Sequence, residues 1–377
     1  MSVAARVSAA VLVTAVAVSA CSVPSRPYWW PHSPSNPGAP ARVIAVHLGH
    51  ASTSRYQLGI DIYWDQGTLP AATVRADAAR IIKYALSLHA NSIALSFPFY
   101  TGGPRSSTVY PSRTYSPSPA QIGVFLHLAA EARMHISIRP LLSETTLTHQ
   151  QFSRLQIRPR SIPAWFRSYR KLLKPYLRVA QAGHAASFVV GTELASLAPA
   201  KSQWRGLIAM ARRVFHRQLL FEARYAQWKL WDAGQFKAGF AADMWPGFKT
   251  MGDGATVAQL TRAWKQFLAA YARQRSLRSL VLSEIGIAAV PGAYQHSGTW
   301  FGIGTPTHAG RLMQKRWYTA LCAAAKSYPL RGLYWWEINF TANPANPGSY
   351  GRSDQFTFIG NPAQSAVRSC FKSWPKR

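Results

Sequence analysis

Glu193 and Glu284 are the residues of this chain most plainly placed for chemistry. Each ends a short apolar run, Val189-Val190-Gly191-Thr192-Glu193 and Val281-Leu282-Ser283-Glu284, in a protein with only 13 acidic residues among 377. Such runs read as buried strands, and a carboxylate at the end of one emerges from the packed interior. Two carboxyl groups held about 5 to 5.5 Å apart can carry out retaining glycoside hydrolysis, one protonating the leaving oxygen and the other attacking the anomeric carbon. In a (β/α)8 barrel the reacting groups sit at the C-terminal ends of the strands, which is where both glutamates fall.

The elements that must position them alternate along the chain. Strands are predicted over 58–63, 92–97, 136–140, 187–191, 219–223, 238–242, 279–283 and 332–336. Helices are predicted over 73–88, 119–133, 162–182, 199–216, 256–275, 309–327 and 362–371. Ser118 before Pro119 has the form of an N-cap followed by proline at the first helical position. Between the fifth and sixth strands there is room only for a turn around Trp231-Asp232-Ala233-Gly234. Eight strands in strict alternation with helices predict an α/β fold, a single (β/α)8 TIM barrel. Glu193 then closes strand four and Glu284 strand seven, and those ends face each other across the mouth.

In this order the motifs resemble glycoside hydrolase family 113, in the clan of retaining (β/α)8 glycosidases with the acid/base on strand four and the nucleophile on strand seven. The resemblance runs from Leu58 to Trp374. It rests on Thr108-Val109-Tyr110, Ser116-Pro117-Ser118, the 136–140 strand, Gly191-Thr192-Glu193, and Leu219 to Tyr225 leading to Trp228. It continues through Ala242-Asp243, Ser283-Glu284-Ile285-Gly286, Gly332-Leu333-Tyr334-Trp335-Trp336 and Gly360-Asn361-Pro362-Ala363. It implies Glu193 as general acid/base, Glu284 as nucleophile, and β-1,4-mannan as substrate. The chain departs from the pattern where the clan often has Asn before the acid/base and this sequence has Thr192, where Pro140 is followed by Leu141 instead of His, and at Met244-Trp245-Pro246.

Further substrate-binding candidates line the same rim. Trp336 and Glu337 end strand eight, and an indole there would form a flat floor under a sugar. Tyr225 and Trp228 follow strand five, Asp243 ends strand six with Trp245 just beyond, and Tyr63 and Trp64 follow strand one. A hydroxyl at Thr192 can make one of the bonds expected of the clan's Asn. Arg139 belongs with these, or else serves as the ion-pair partner of a structural Asp61, because a buried charge needs a counter-charge.

Residues 1–20 read as a lipoprotein-type signal peptide: Arg6, the apolar run 7–18, then Val18-Ser19-Ala20 before Cys21. Cys21 would become the lipid-modified first residue of an exported, extracytoplasmic, membrane-anchored protein. Residues 21–42, with Pro24, Pro27, Pro31, Pro34, Pro37 and Pro40, would form an extended tether carrying Tyr28-Trp29-Trp30, and residues 43–377 the hydrolase domain. The remaining Cys322 and Cys370 could pair in an oxidising compartment or stay as two buried thiols.

The formal charge of +30 comes from 43 basic residues spread along the chain, without a nucleic-acid recognition motif, so nucleic acid is not the expected partner. Attraction to anionic polymers or lipid headgroups is one reading, and life at low pH is another. A protein with few carboxylates loses few native ion pairs when acid protonates them. There is no phosphate loop, no His-x-Glu zinc spacing and no Gly-x-Ser-x-Gly elbow. The expectation is a monomeric retaining glycoside hydrolase that needs no metal or cofactor and acts on a β-linked polysaccharide or oligosaccharide. The alternative is a non-catalytic lipoprotein that binds carbohydrate or envelope polymer on the same scaffold, against which the presence of both glutamates weighs.

Overall fold

The computed structural model describes residues 48–231, 238–298, 304–347 and 355–375. The expected signal peptide, Cys21, the expected tether with its aromatic cluster, and Asp232-Ala233-Gly234 of the expected turn lie outside the described residues.

Eight parallel strands close into a barrel. They are β1 (Gln57–Tyr63), β2 (Ser92–Thr101), β3 (His135–Leu142), β4 (Ser187–Thr192), β5 (Gln218–Arg224), β6 (Gly239–Asp243), β7 (Val281–Ile285) and β8 (Gly332–Asn339). Each pairs with its neighbour in sequence, and β8 returns to β1 with Leu58 opposite Leu333 and Ile60 opposite Trp335. A two-residue strand, Val109–Tyr110, folds back antiparallel on the end of β2. β2 and β4 are buried along nearly their whole length, because one face looks into the barrel and the other onto helices. That double burial makes them read as continuous apolar runs.

The flanking helices include α1 (Ala71–Ser87), α2 (Pro119–Glu131), α3 (Ile162–Ala182), α4 (Lys201–Arg212), α5 (Val257–Ala272), α6 (His308–Ala325) and α7 (Pro362–Lys372). Ser118 caps α2 through a capping box with Gln121, with Pro119 in the first turn; Thr256 and Gln259 repeat the device on α5. Between β5 and β6 the chain makes a 3-10 helix, Tyr225–Trp231, more ordered structure than a bare turn. A disulfide joins Cys322 on α6 to Cys370 on α7, fastening the last helix to its neighbour. Among the described residues no helix is long and apolar enough to cross a membrane.

Candidate active site

The barrel mouth is organised around one arginine. Arg139, on β3, has no exposed surface. Its Nη1 donates to Asp61 Oδ2 at 2.9 Å, to Glu284 Oε1 at 3.1 Å and to Ser96 Oγ at 3.3 Å. Its Nε donates to Glu222 Oε2, and Nη2 lies 3.7 Å from Asp243 Oδ1. Four carboxylates from β1, β5, β6 and β7 thus share one guanidinium. Arg139 is therefore the fixed centre beneath the carboxylates, not a group lining the opening, and the Asp61–Arg139 pairing is the reading of Asp61 that the structure contains.

Four buried carboxylates cannot all be ionised against one cation, since burial strongly disfavours uncompensated charge. Burial, with the Glu284 charge adding to it, pushes Asp61 up to about 8 against the pull of Arg139. Glu222 rises to about 7, through burial first and despite Arg139. Asp243 is raised well above the carboxylate range, again by burial and then by Glu284. Protons therefore reside in this cluster at neutral pH.

Glu193 stands immediately after β4 and turns the chain out of the strand with a left-handed backbone, φ 53°. Its N–H donates to the Glu222 carbonyl at 2.9 Å, which ties the turn to β5. Its carboxylate lies between two more arginines. Arg224 Nε, at the end of β5, donates to Oε1 at 2.9 Å, and Arg154 Nε is 3.9 Å from Oε2. Arg154 is in turn held by Glu144, whose Oε2 accepts from Nη2 at 3.2 Å and whose Oε1 accepts from the Arg154 N–H at 2.8 Å. Burial raises the proton affinity of Glu193 more than the two arginines lower it. For Glu144 burial acts the same way, but Arg154 prevails and holds the carboxyl below its usual range.

Glu284 is gripped from two sides, by Arg139 on Oε1 and by Trp245 Nε1, which donates to Oε2 at 3.0 Å. Gly286 makes room for that indole: a Cβ there would lie 2.9 Å from the Trp245 ring and 2.9 Å from the Trp336 carbonyl oxygen. Asp243 Oδ1 accepts from Ser283 Oγ at 2.8 Å, while Oδ2 has no hydrogen-bond partner among the described residues. Glu193, Asp243 and Glu284 each bring one carboxylate oxygen to within 4.8 Å of the other two. Such spacing would also suit a divalent cation, and Arg139, Arg154 and Arg224 already supply positive charge at the same place.

The other candidates divide. Thr192 is buried in register with Glu222, and its Oγ1, closed to solvent, has no partner among the described residues. Trp336 lies with its ring centroid 5.4 Å from the Arg139 guanidinium and 6.1 Å from the Tyr63 ring. Burial raises the Tyr63 hydroxyl, and the charges of Glu337 and Asp65 raise it further, so Tyr63 and Glu337 share that corner. Trp64 does not belong to the site: it is fully buried and stacked on Phe340 at 3.8 Å. Tyr225 packs edge-on against Phe267 of α5. Trp228 faces Arg275, which also covers Phe240 near the start of β6, so it is directed toward the helices and away from the carboxylates. The sequence reading missed Glu222, Glu144, Arg154 and Arg224. Glu222 alone had a signal, as the one acid within the apolar run Leu219-Leu220-Phe221-Glu222-Ala223.

The profile of Glycoside Hydrolase Family 113 matches residues 68–360. The chain belongs to glycoside hydrolase family 113. As a member of that family it is a glycoside hydrolase. No curated protein sequence matches it. Among solved structures, a GH113 β-1,4-mannanase in complex form superposes with a TM-score of 0.68 at 14% identity, covering 84% of this chain and 99% of the other. The GH113 β-mannanase AaManA from Alicyclobacillus acidocaldarius, in complex with ManMIm, gives 0.68 at 19% identity, covering 85% and 98%. A glycoside hydrolase family 5 mannosidase from Rhizomucor miehei gives 0.53 at 10% identity, covering 84% and 92%. At these identities the superpositions establish a shared barrel, and the family profile carries the assignment of this family 113 hydrolase.

Proposed function

We propose that this family 113 hydrolase cleaves β-1,4-linked mannan or a related β-linked glycan within the chain, with retention of anomeric configuration. The observation that carries the reading is the approach of Glu193 and Glu284, whose nearest carboxylate oxygens lie within 4.8 Å. Retaining enzymes hold their carboxyl groups about 5 to 5.5 Å apart, and inverting enzymes need roughly 6.5 to 9.5 Å to admit a water. The β-mannanase names of the family 113 structures support the choice of sugar.

Glu284, oriented by Arg139 and Trp245, attacks the anomeric carbon while Glu193 gives its proton to the departing oxygen. A glycosyl ester on Glu284 results. Glu193, now a carboxylate, takes a proton from water, which displaces the sugar and restores both groups. Thr192 Oγ1 and Asp243 Oδ2 have no hydrogen-bond partner among the described residues and, like the Trp336 ring, are closed to solvent, so sugar hydroxyls reach them only where binding opens the barrel mouth. The proposal includes export and anchoring through Cys21, which rests on the signal-like composition of residues 1–21.

The test is hydrolysis of β-mannan and of an aryl β-mannoside by the mature domain, with the anomer of the first product followed by NMR. Retention is expected, and Glu284→Ala should abolish turnover while leaving glycan binding in place. An inverted first product, or full activity in that variant, would overturn the assignment.

A further inference from the structure

A cavity at the other end of the barrel points to a second ligand. It holds about 530 Å³ and is lined by residues 51–57 together with Asn91, Ser92, Arg133, His135 and Arg331. Gln57, Ser92 and His135 are the first residues of β1, β2 and β3, and Arg331 directly precedes β8. Glu193, Asp243 and Glu284 stand at the opposite, C-terminal ends of their strands, so this cavity is no part of the cleavage site.

Three arginines from three separate segments, Arg55, Arg133 and Arg331, share the cavity, and no carboxylate is among its lining residues. None of the three takes part in an ion pair among the described residues. Arg55 donates to the Tyr56 hydroxyl at 3.0 Å. The acid nearest to any of them in sequence, Glu131, contacts His127 at 3.2 Å on α2. No residue before Asp61 is acidic, so the N-terminal segment brings no carboxylate side chain. Burial first, then the charge of Arg331 and with it that of Arg217, push His135 down to about 4. The side-chain charges that bear on that ring are both positive.

The dipole of α2 favours a cation just past its C-terminus, which accounts for Arg133. Arg55 and Arg331 precede strands and have no such reason to be there. Guanidiniums around one cavity repel one another, and an anion among them removes the repulsion while accepting from each planar fork. A carboxylate has two oxygens to share among three arginines, whereas a phosphate has up to four. We propose that this cavity binds a phosphate group, held by Arg55, Arg133 and Arg331. The group arrives as free phosphate or as the headgroup of an anionic phospholipid. Such a site gives part of the +30 charge a place to act, and it depends on neither glutamate of the proposed reaction.

Calorimetric titration with inorganic phosphate, at an ionic strength held constant with sodium chloride, should saturate at one site with Kd below about 1 mM. The His135 ring resonances should shift along the same isotherm. Arg133→Gln and Arg331→Gln should each weaken binding about tenfold, the scale of one charge-assisted hydrogen bond, and together should remove both signals. Both side chains are exposed, so the variants should fold, and Arg205→Gln on α4, outside the cavity, should change neither signal. Glycerophosphoglycerol, the soluble headgroup of an anionic phospholipid, is titrated in parallel. Tighter binding of it than of phosphate would support the site and assign the lipid, and the reverse would support the site and assign free phosphate. No saturable heat at constant ionic strength, or binding that survives the double variant, would overturn the proposal.

Discussion

Trp245 Nε1 donates a hydrogen bond to Glu284 Oε2 at 3.0 Å, from a residue two positions beyond β6 to one on β7. The bond fixes the carboxylate oxygen that Arg139 does not hold. Trp245→Phe keeps an aromatic ring against Phe356 and removes only the donor. Hydrogen bonds to charged groups are worth about 1.5 to 3 kcal/mol, so kcat should fall roughly tenfold to a hundredfold. KM should change little. Steady-state kinetics on β-mannan separate the two, and a variant altered in KM alone would mean that Trp245 contacts sugar and does not orient Glu284.

Arg139 should matter to the fold as much as to the reaction. Removing it leaves Asp61, Glu222, Asp243 and Glu284 without their shared cation. Arg139→Met should cost about 3 to 5 kcal/mol, the range for breaking a buried ion pair from one side. Arg139→Lys should recover only part of this, because an ammonium cannot match the planar fork. Denaturant unfolding of the three proteins measures the effect, and equal midpoints would show the arginine to be dispensable for stability.

The protons held in that cluster set a direction for pH. Asp61, raised to about 8, and Glu222, raised to about 7, bind protons in the folded protein that they release in the unfolded chain above about pH 4. Between those limits the folded state holds more protons, so stability falls as pH rises. The contribution is fully present below about pH 4 and is lost as pH passes through 7 to 8. Melting temperature should therefore decline from mildly acidic toward mildly alkaline buffer. Asp61→Asn, which keeps an acceptor for Arg139 and cannot ionise, should flatten the decline. A melting temperature that climbs steadily through the same interval would show that this cluster does not govern the profile.

The disulfide between Cys322 and Cys370 spans 48 residues. Closing a loop of that length limits the unfolded chain by about 4 kcal/mol in the chain-entropy picture. Reduction, or replacement of both cysteines by alanine, should lower stability by up to that amount without changing kcat, since neither sulfur is near the carboxylates. Thermal melts with and without reductant, paired with activity at a temperature well below either midpoint, check both halves.

Much of this was legible in the sequence. The eight strands could be read because burial on both faces turns each into a compact apolar run. Glu193 and Glu284 stood out because each interrupts such a run at its end. Glu222 sits one residue before the end of its apolar run, with Ala223 after it, and was passed over. Strand parity also held a missed signal: Asp61 and Tyr63 share one face of β1, whereas Ile62 and Trp64 share the other, so Trp64 was bound to point at helices. Arg154 and Glu144 had no such signal. They reach the site from the segment between β3 and α3, whose helical pieces, Thr145–Thr148 and Arg154–Gln156, are too short for a periodicity to link position in sequence to position in space. Tyr225 and Trp228 were misplaced because a 3-10 helix, not an open loop, follows β5, and it lays their rings on α5 and Arg275.

The backbone at Glu193 has a last consequence. A side-chain-bearing residue at φ 53° occupies a conformation that costs about 1 kcal/mol or more, and Asn or Gly occupies it with less penalty. The proposed acid/base position is thus one where the residue easiest on the backbone is not the one the proposed reaction needs. Glu193→Asn or Glu193→Gly should ease the backbone yet leave Arg154 and Arg224 without their shared anion, so the strained turn is kept in place by the charges it presents.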